Sequence, residues 1–379
     1  MQFLLRGLLA WDLTGRESAF GLVFLSFGLC MLIFTPLGGV AADRFKKRRL
    51  LVLGQLVLML VAVGMGAAVL TGHEQFWMLL VASGSQGATF GFIGPARVSM
   101  TYELVGRELL GNAISLSILS MSTTRIFAPA LAGLLAGVSA VGIGGGYLVS
   151  GVFSVTSLVL ALRLPDFEPR NSTPKNPFRE IADGVRYVAG NRRVKRLVIS
   201  STAIIMFGFN YITFLTPMVK EVFERGNGSV GFMSTASSVG AVLISIPVAK
   251  RADSAKAGHL LIASGVGFGV TVMALSVAPS YWWAVGVVVM IGGSTTGYQA
   301  LSNSMAMASS SSDQHGRVQS LMQLSFAGFG IAALPLGALA EWIGLRQSIA
   351  VMGAVTLLAT LAYAWVMSDS RAPEMGASS

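Results

Sequence analysis

A chain of 379 residues with 53% hydrophobic and 12% charged side chains departs from soluble domains, where roughly 25% of residues are charged. Its mean hydropathy of +0.69 excludes a string of soluble domains and a disordered chain, because so much apolar surface cannot be hidden from water. One cysteine, Cys30, permits no internal disulfide, and the net charge of +10 is no nucleic-acid signal, since the charges lie in loops between apolar spans.

The chain opens on Phe3 to Leu13, apolar apart from Arg6 and Asp12. A helix needs about 20 residues to cross roughly 30 Å of hydrocarbon, so this stretch is too short to span. A signal peptide would show a basic lead-in and a small-residue cleavage site, and neither is present. The stretch reads as the outer half of a helix whose first half is missing.

Eleven full spans follow, at 18–41, 50–71, 76–98, 113–137, 143–163, 197–219, 229–249, 258–278, 281–306, 317–340 and 345–367. Glycine, proline, charges or short polar runs separate them, as helix stops do. The longest polar connection, Arg163 to Arg196, leaves five spans and the stub before it and six after. Completing the stub gives six plus six. The predicted architecture is an all-α polytopic membrane protein. Residues 1–163 form an N-terminal six-helix bundle with a truncated first helix, and 197–368 form a C-terminal six-helix bundle. A central linker over 164–196 and a tail over 369–379 complete the chain.

With loops alternating between sides, 21 of the 27 Lys and Arg residues fall on one side, the central linker and C-terminus included. Cytoplasmic loops hold such an excess, so that side is assigned to the cytoplasm. Arg6 and Arg125 lie at membrane depth. In the linker, Phe178, Ile181, Val185 and Val188 recur at helical spacing among basic residues. They suggest either a short helix on an anionic inner leaflet or a solvated linker helix.

The first cytoplasmic loop reads GGVAADRFKKRRLL, residues 38–51. A small residue at the end of a helix lets a neighbour approach. Asp43 can pair with a cation or accept from a helix N-terminus, and the basic run meets lipid headgroups. Further on, TRIFAPALAGLLAG over 124–137 carries Pro129, which removes a backbone donor, with Ala132, Gly133 and Gly137 for close packing.

The 38–51 loop resembles the signature loop of the major facilitator superfamily, Gly-x-x-x-Asp-Arg-x-Gly-Arg-Arg. Gly39, Asp43, Arg44, Lys47 and Arg48 fall on the matching positions, while Lys46 replaces the second glycine. The segment with Arg125, Pro129 and Gly133 is similar to the Gly-Pro-rich motif of facilitator antiporters, with Ala128 where the family has glycine. TYELVGRELLGNAISL over 101–116 and WDLTGRESAFGLV look like the branch exporting macrolides and siderophores. The loop at 248–258 is only a degenerate echo of the signature, with Asp253 in its acidic place. The resemblance implies two six-helix bundles rocking about a central site, a latch at the signature loop, and a fifth helix that seals against leak.

Ionisable residues within a span are functional candidates by default, and Arg125 is the deepest clear case. Candidate cavity residues are Gln86 and Phe90 on the fourth predicted helix, Arg125 on the fifth, Asn210 and Tyr211 on the seventh, Gln299 and Asn303 on the tenth, and Gln323 on the eleventh. Aromatics with scattered amides suit amphipathic organic molecules, although any one of these amides serves equally as interhelical glue. Proton-coupled export calls for a carboxylate raised in pKa by burial, and Asp12 is the candidate.

No HExxH, Walker loop or catalytic set occurs in the sequence, so neither an enzyme nor an ATP-driven pump is expected, nor a metal or other cofactor. The function expected is secondary, proton-coupled efflux of a small amphipathic molecule by a monomer in the bilayer, with no nucleic-acid partner. The alternatives are a symporter, a lysophospholipid flippase, or a channel-like or non-transporting membrane protein.

Overall fold

The computed structural model describes the backbone of residues 1–138, 141–167, 186–249, 251, 254, 256–310 and 315–369, with most of their side chains. In chain order the helices are α1 (Gln2–Thr14), α2 (Glu17–Arg44), α3 (Lys47–Leu70), α4 (Phe76–Gly137), α5 (Gly142–Leu162) and α6 (Arg192–Phe207). They continue with α7 (Tyr211–Pro217), α8 (Asn227–Ala249), α9 (Ala257–Ser276), α10 (Tyr281–Ala308), α11 (His315–Ile343) and α12 (Leu345–Asp369). No strand occurs among the described residues, as an all-helical membrane protein requires.

Among the described residues, ten helical stretches are long and apolar enough to cross a bilayer, one of them running from α6 through α7 over Val194–Val222. The predicted span 113–137 is helical throughout its backbone, and its Phe127–Gly137 part is apolar. It joins the span before it in one run of 62 residues, α4, bent at Gly106 with φ 72° and ψ −178°. That backbone region is essentially closed to side-chain-bearing residues. A single glycine therefore makes the connection for which the sequence suggested a loop. The predicted span 197–219 is interrupted at residues 208–210, between α6 and α7, and α7 runs into a π-turn at Met218–Val222.

The chain falls into two compact units. One comprises Met1–Ala182, Leu215–Thr235 and Gly330–Glu341; the other comprises Asp183–Phe214, Ala236–Phe329 and Trp342–Ser379. Two segments late in sequence, Leu215–Thr235 and Gly330–Glu341, thus join the unit built mainly from the first half.

Packing within each unit follows membrane rules, with small residues at the crossings and large apolar ones outside. In the first, α2 and α4 run backbone against backbone: a Cβ added at Gly38 would sit 2.5 Å from the Gly91 carbonyl oxygen, and one at Gly91 2.8 Å from the Thr35 nitrogen. In the second, a Cβ at Gly269 of α9 would sit 2.8 Å from the Leu357 backbone of α12. Leu53, Leu60, Val152, Leu243, Leu358 and Trp365 stay exposed on outward faces.

Of the proposed linker helix, Val188 is buried with Val194, Ala306, Val318 and Met322 in the second unit, rather than facing a leaflet. Phe178, Ile181 and Val185 lie outside the described residues.

Candidate functional site

The signature loop is the turn from α2 to α3. Its cations are held by acids that the sequence reading did not pair with them. Lys47, at the first position of α3, donates to Glu103 Oε1 of α4 at 2.7 Å, and the two side chains are 4% and 16% exposed. Arg48 lies 3.8 Å from Asp166 and donates to the Leu162 carbonyl at the end of α5. The loop therefore ties α3 to α4 and to the segment after α5. Gly38, not Gly39, is the glycine pressed against the neighbouring helix; Gly39 faces open space. Arg44 is exposed, and the Asp43 side chain lies outside the described set.

The Pro129 segment forms the second half of α4. Gly133 meets the backbone of Gly231 in α8 so closely that a Cβ on either would overlap the other's Cα, and the Pro129 carbonyl lies 3.2 Å from a Cβ placed at Gly231. Gly137 and Gly228 repeat the approach one turn on, at 3.3 Å. Arg125 is on this helix, and its side chain lies outside the described set.

On the first unit's helices, Gln86 is half-buried and Phe90 is 53% exposed, with its ring edge-on to Phe27 at 6.2 Å. Gln86 is not a free amide. Its Oε1 accepts from Arg6, and its Nε2 donates to Gln2 Oε1 at 3.4 Å. Arg6, 1% exposed, also donates from Nη1 to Ser83 Oγ at 2.7 Å and from Nε to the Gln2 carbonyl at 3.3 Å. Sequence reasoning placed Arg6 at membrane depth but took Arg125 as the deepest clear case and did not count Arg6 among the cavity candidates. The signal was available: an arginine inside an apolar run.

The second unit separates the remaining candidates into two kinds. Asn210 sits in the break between α6 and α7, fully buried; its Nδ2 donates to the Met206 carbonyl at 2.5 Å and to the Phe329 carbonyl at 3.0 Å. Tyr211 is 2% exposed, with its hydroxyl 3.0 Å from Ser237 Oγ and its ring edge-on to Phe268. Both are engaged in holding helices together. Gln299 and Asn303 instead line a small recess of about 20 Å³ with Ser201, Tyr298, Ser302 and Phe326. Neither amide has a hydrogen-bond partner among the described residues. Tyr298, which helical spacing did not single out, and Ser302, on the same face as Gln299 and Asn303, are joined to α6 through Ser200 and Ser201. The Gln323 side chain lies outside the described set.

Asp12, near the end of α1, accepts from Lys220 in the π-turn, and the two side chains are 40% and 15% exposed. The carboxylate is thus ion-paired and partly solvated, unlike an isolated carboxyl in an apolar pocket. No group of His, Cys, Asp and Glu able to hold a metal occurs among the described residues.

Apolar helices joined by charged loops, with recesses lined by amides and aromatics, define a polytopic carrier-type membrane protein. The profile of the transmembrane secretion effector family matches residues 6–378. The chain belongs to that family of the major facilitator superfamily, whose members are transporters and not enzymes. It is 25% identical over 269 residues to the enterobactin exporter EntS of Shigella flexneri, covering 71% of this chain and 62% of the relative. The same protein of Escherichia coli O9:H4 strain HS matches at 25% identity, with 63% of its length covered. The alignments thus span somewhat under two thirds of these relatives.

Solved structures agree on the fold. A POT family transporter with a bound thioalcohol-conjugated peptide superposes with a TM-score of 0.77 at 13% identity, covering 97% of this chain and 93% of that one. A bacterial homologue of the lysosomal transporter Spinster, inward-facing and unoccupied, gives 0.74 at 16% identity with 95% and 93% covered. The nucleoside transporter NupG gives 0.72 at 13% identity with 96% of each chain covered.

Proposed function

We propose that the protein is a secondary exporter of small amphipathic organic molecules in the bacterial inner membrane, driven by proton entry. The observation that carries this reading is the family match along residues 6–378, together with relatives named as exporters. The glycine contact between the Pro129 helix and α8 supports it, since a carrier needs a tight, separable seal on one side of its site.

In this reading the basic side faces the cytoplasm, as the distribution of Lys and Arg suggests. The Lys47–Glu103 and Arg48–Asp166 pairs brace the signature loop as the halves rock. Cargo enters a site near the middle of the membrane, where Gln299 and Asn303 offer unpaired amides beside Phe326 and Tyr298. Binding there is by apolar area with a few orienting hydrogen bonds. Asp12 trades its Lys220 partner for a proton when the far side opens, and the carrier works as a monomer. A channel would show flux without saturation, a symporter would move cargo inward with the proton, and a lysophospholipid flippase would need a lipid cargo.

The test uses everted vesicles with an acidic interior, challenged with dyes, macrolides and catechol-type chelators. Saturable collapse of the gradient by at least one compound supports proton-coupled export. A gradient indifferent to every compound, in vesicles that contain the folded protein, counts against it.

A further inference from the structure

Arg6 is the largest fully buried side chain among the described residues, and no carboxylate among them pairs with it. An ionised group taken out of water without a counter-charge is strongly unfavourable, and functional sites are where such groups are kept. All three of its hydrogen bonds go to neutral oxygens: the Gln2 carbonyl, Ser83 Oγ and Gln86 Oε1. A guanidinium offers five N–H donors, so two remain without an acceptor among the described residues. Tyr147 is also fully buried, its hydroxyl has no hydrogen-bond partner among the described residues, and it is near enough to Arg6 for the two to interact electrostatically. The cluster therefore holds one net positive charge and several unanswered donors. Of its members Gln86 alone is half-exposed, so a ligand approaches past that side chain.

We propose that Arg6, with Gln86 and Tyr147, forms a subsite for the acidic group of an amphipathic organic anion. The oxyanion displaces Gln86 Oε1 and takes a paired set of hydrogen bonds from Nη1 and Nη2, the geometry in which arginine holds carboxylates best. The Tyr147 hydroxyl supplies a further donor. In the empty state the Gln86 amide stands in for the ligand's oxygens, a weaker partner because it is neutral. This rests on the export reading and narrows its cargo from amphipathic molecules in general to those bearing a negative charge.

The experiment measures binding to the purified full chain in lipid nanodiscs by calorimetry. The probes are 1-naphthoate and 1-naphthamide, which share a ring system and differ in charge. Wild type is expected to prefer naphthoate by about tenfold or more, the worth of hydrogen bonds to a charged group. Arg6→Gln brings that ratio to about one by weakening naphthoate binding about tenfold or more, since the charge-assisted contact is lost. Should Arg6→Gln fail to fold, Gln86→Glu asks the same question: its tethered carboxylate occupies Arg6, abolishes the preference for naphthoate and raises the melting temperature. A preference surviving either folded variant overturns the proposal, as does wild type binding both probes equally or neither. The binding ratio is read without transport, so a vesicle assay showing no export would sink the export reading alone.

Discussion

Lys47 Nζ and Glu103 Oε1 lie 2.7 Å apart in a pocket that leaves 4% and 16% of their side chains exposed. The pair joins the first residue of α3 to the middle of α4, just before the bend at Gly106. The second carboxylate oxygen, Glu103 Oε2, has no hydrogen-bond partner among the described residues. Among the described residues Lys47 is the counter-charge that pairs with Glu103.

Removing one member strands the other. Lys47→Met should destabilise the protein by about 3–5 kcal/mol, because an uncompensated buried charge remains. Adding Glu103→Leu should recover most of that loss, since an apolar pair of similar size avoids desolvating either charge. Thermal unfolding in detergent micelles, followed for both single variants and the double, gives the coupling directly. Additive losses would show that the pair does not act as a unit.

How far the sequence carried this reading differs from one residue to the next. The apolar spans were legible because hydrocarbon leaves few alternatives to a long apolar helix, whereas the single-glycine bend at Gly106 and the break at residues 208–210 were not. The signature loop was legible as a run of cations, but not its partners. Glu103 and Asp166 are distant in sequence, and nothing in spacing alone links them to Lys47 and Arg48. The close glycine is Gly38 rather than Gly39, a shift of one residue that rotates the contact by about 100° around the helix. The cavity set was hardest to read. Asn210 and Gln299 look alike in sequence, yet one caps broken backbone and the other is unpaired in a recess. Helical spacing assigns a face and cannot say whether a backbone carbonyl waits on that face.

The break at residues 208–210 supplies a second test. Asn210 Nδ2 satisfies two carbonyls, those of Met206 and Phe329. Asn210→Leu removes both side-chain bonds and should cost about 0.5–1.5 kcal/mol for each. Asn210→Asp is the sharper variant. An ionised carboxylate only accepts and would face two acceptors, whereas the protonated acid carries one donor. Its melting temperature should therefore rise as the pH falls from neutral toward the carboxylate range, opposite to the trend of a native salt-bridged acid. A melting temperature independent of pH in that range would show that position 210 is reached by water.

The contact of Gly133 with Gly231 has no room for a side chain. Both atoms met are backbone, so rotamer changes cannot relieve the overlap. Gly231→Val should push α8 away from the second half of α4 at a cost of about 1–3 kcal/mol. If this contact is the seal of a carrier, the variant should also leak. Vesicles containing it would lose a proton gradient faster than wild type without any added compound. Unchanged leak, with the helices demonstrably separated by cross-linking distance, would leave the contact a packing feature only.

The ion pair of Asp12 with Lys220 separates two roles for one carboxylate. As a partly exposed salt bridge it is worth about 0–1 kcal/mol, too little for its loss to unfold the chain. Thermal stability of Asp12→Asn and Lys220→Gln should therefore stay close to wild type. Transport should not. If Asp12 carries the proton, Asp12→Asn removes the only titratable group of the pair that can exchange with an entering proton, and gradient-driven export should fall by about tenfold or more, equivalent to at least 1.4 kcal/mol in the limiting step. Lys220→Gln keeps the carboxylate and loses only its partner, so export should persist with an altered pH profile. The exchange variant Asp12→Lys with Lys220→Asp restores the pair but moves the carboxylate from α1 to the π-turn. A structural tie would be rescued by that exchange; a proton site fixed on α1 would not. Export measured in everted vesicles for these four proteins therefore distinguishes the two roles, and equal rates in all of them would remove Asp12 from the coupling mechanism.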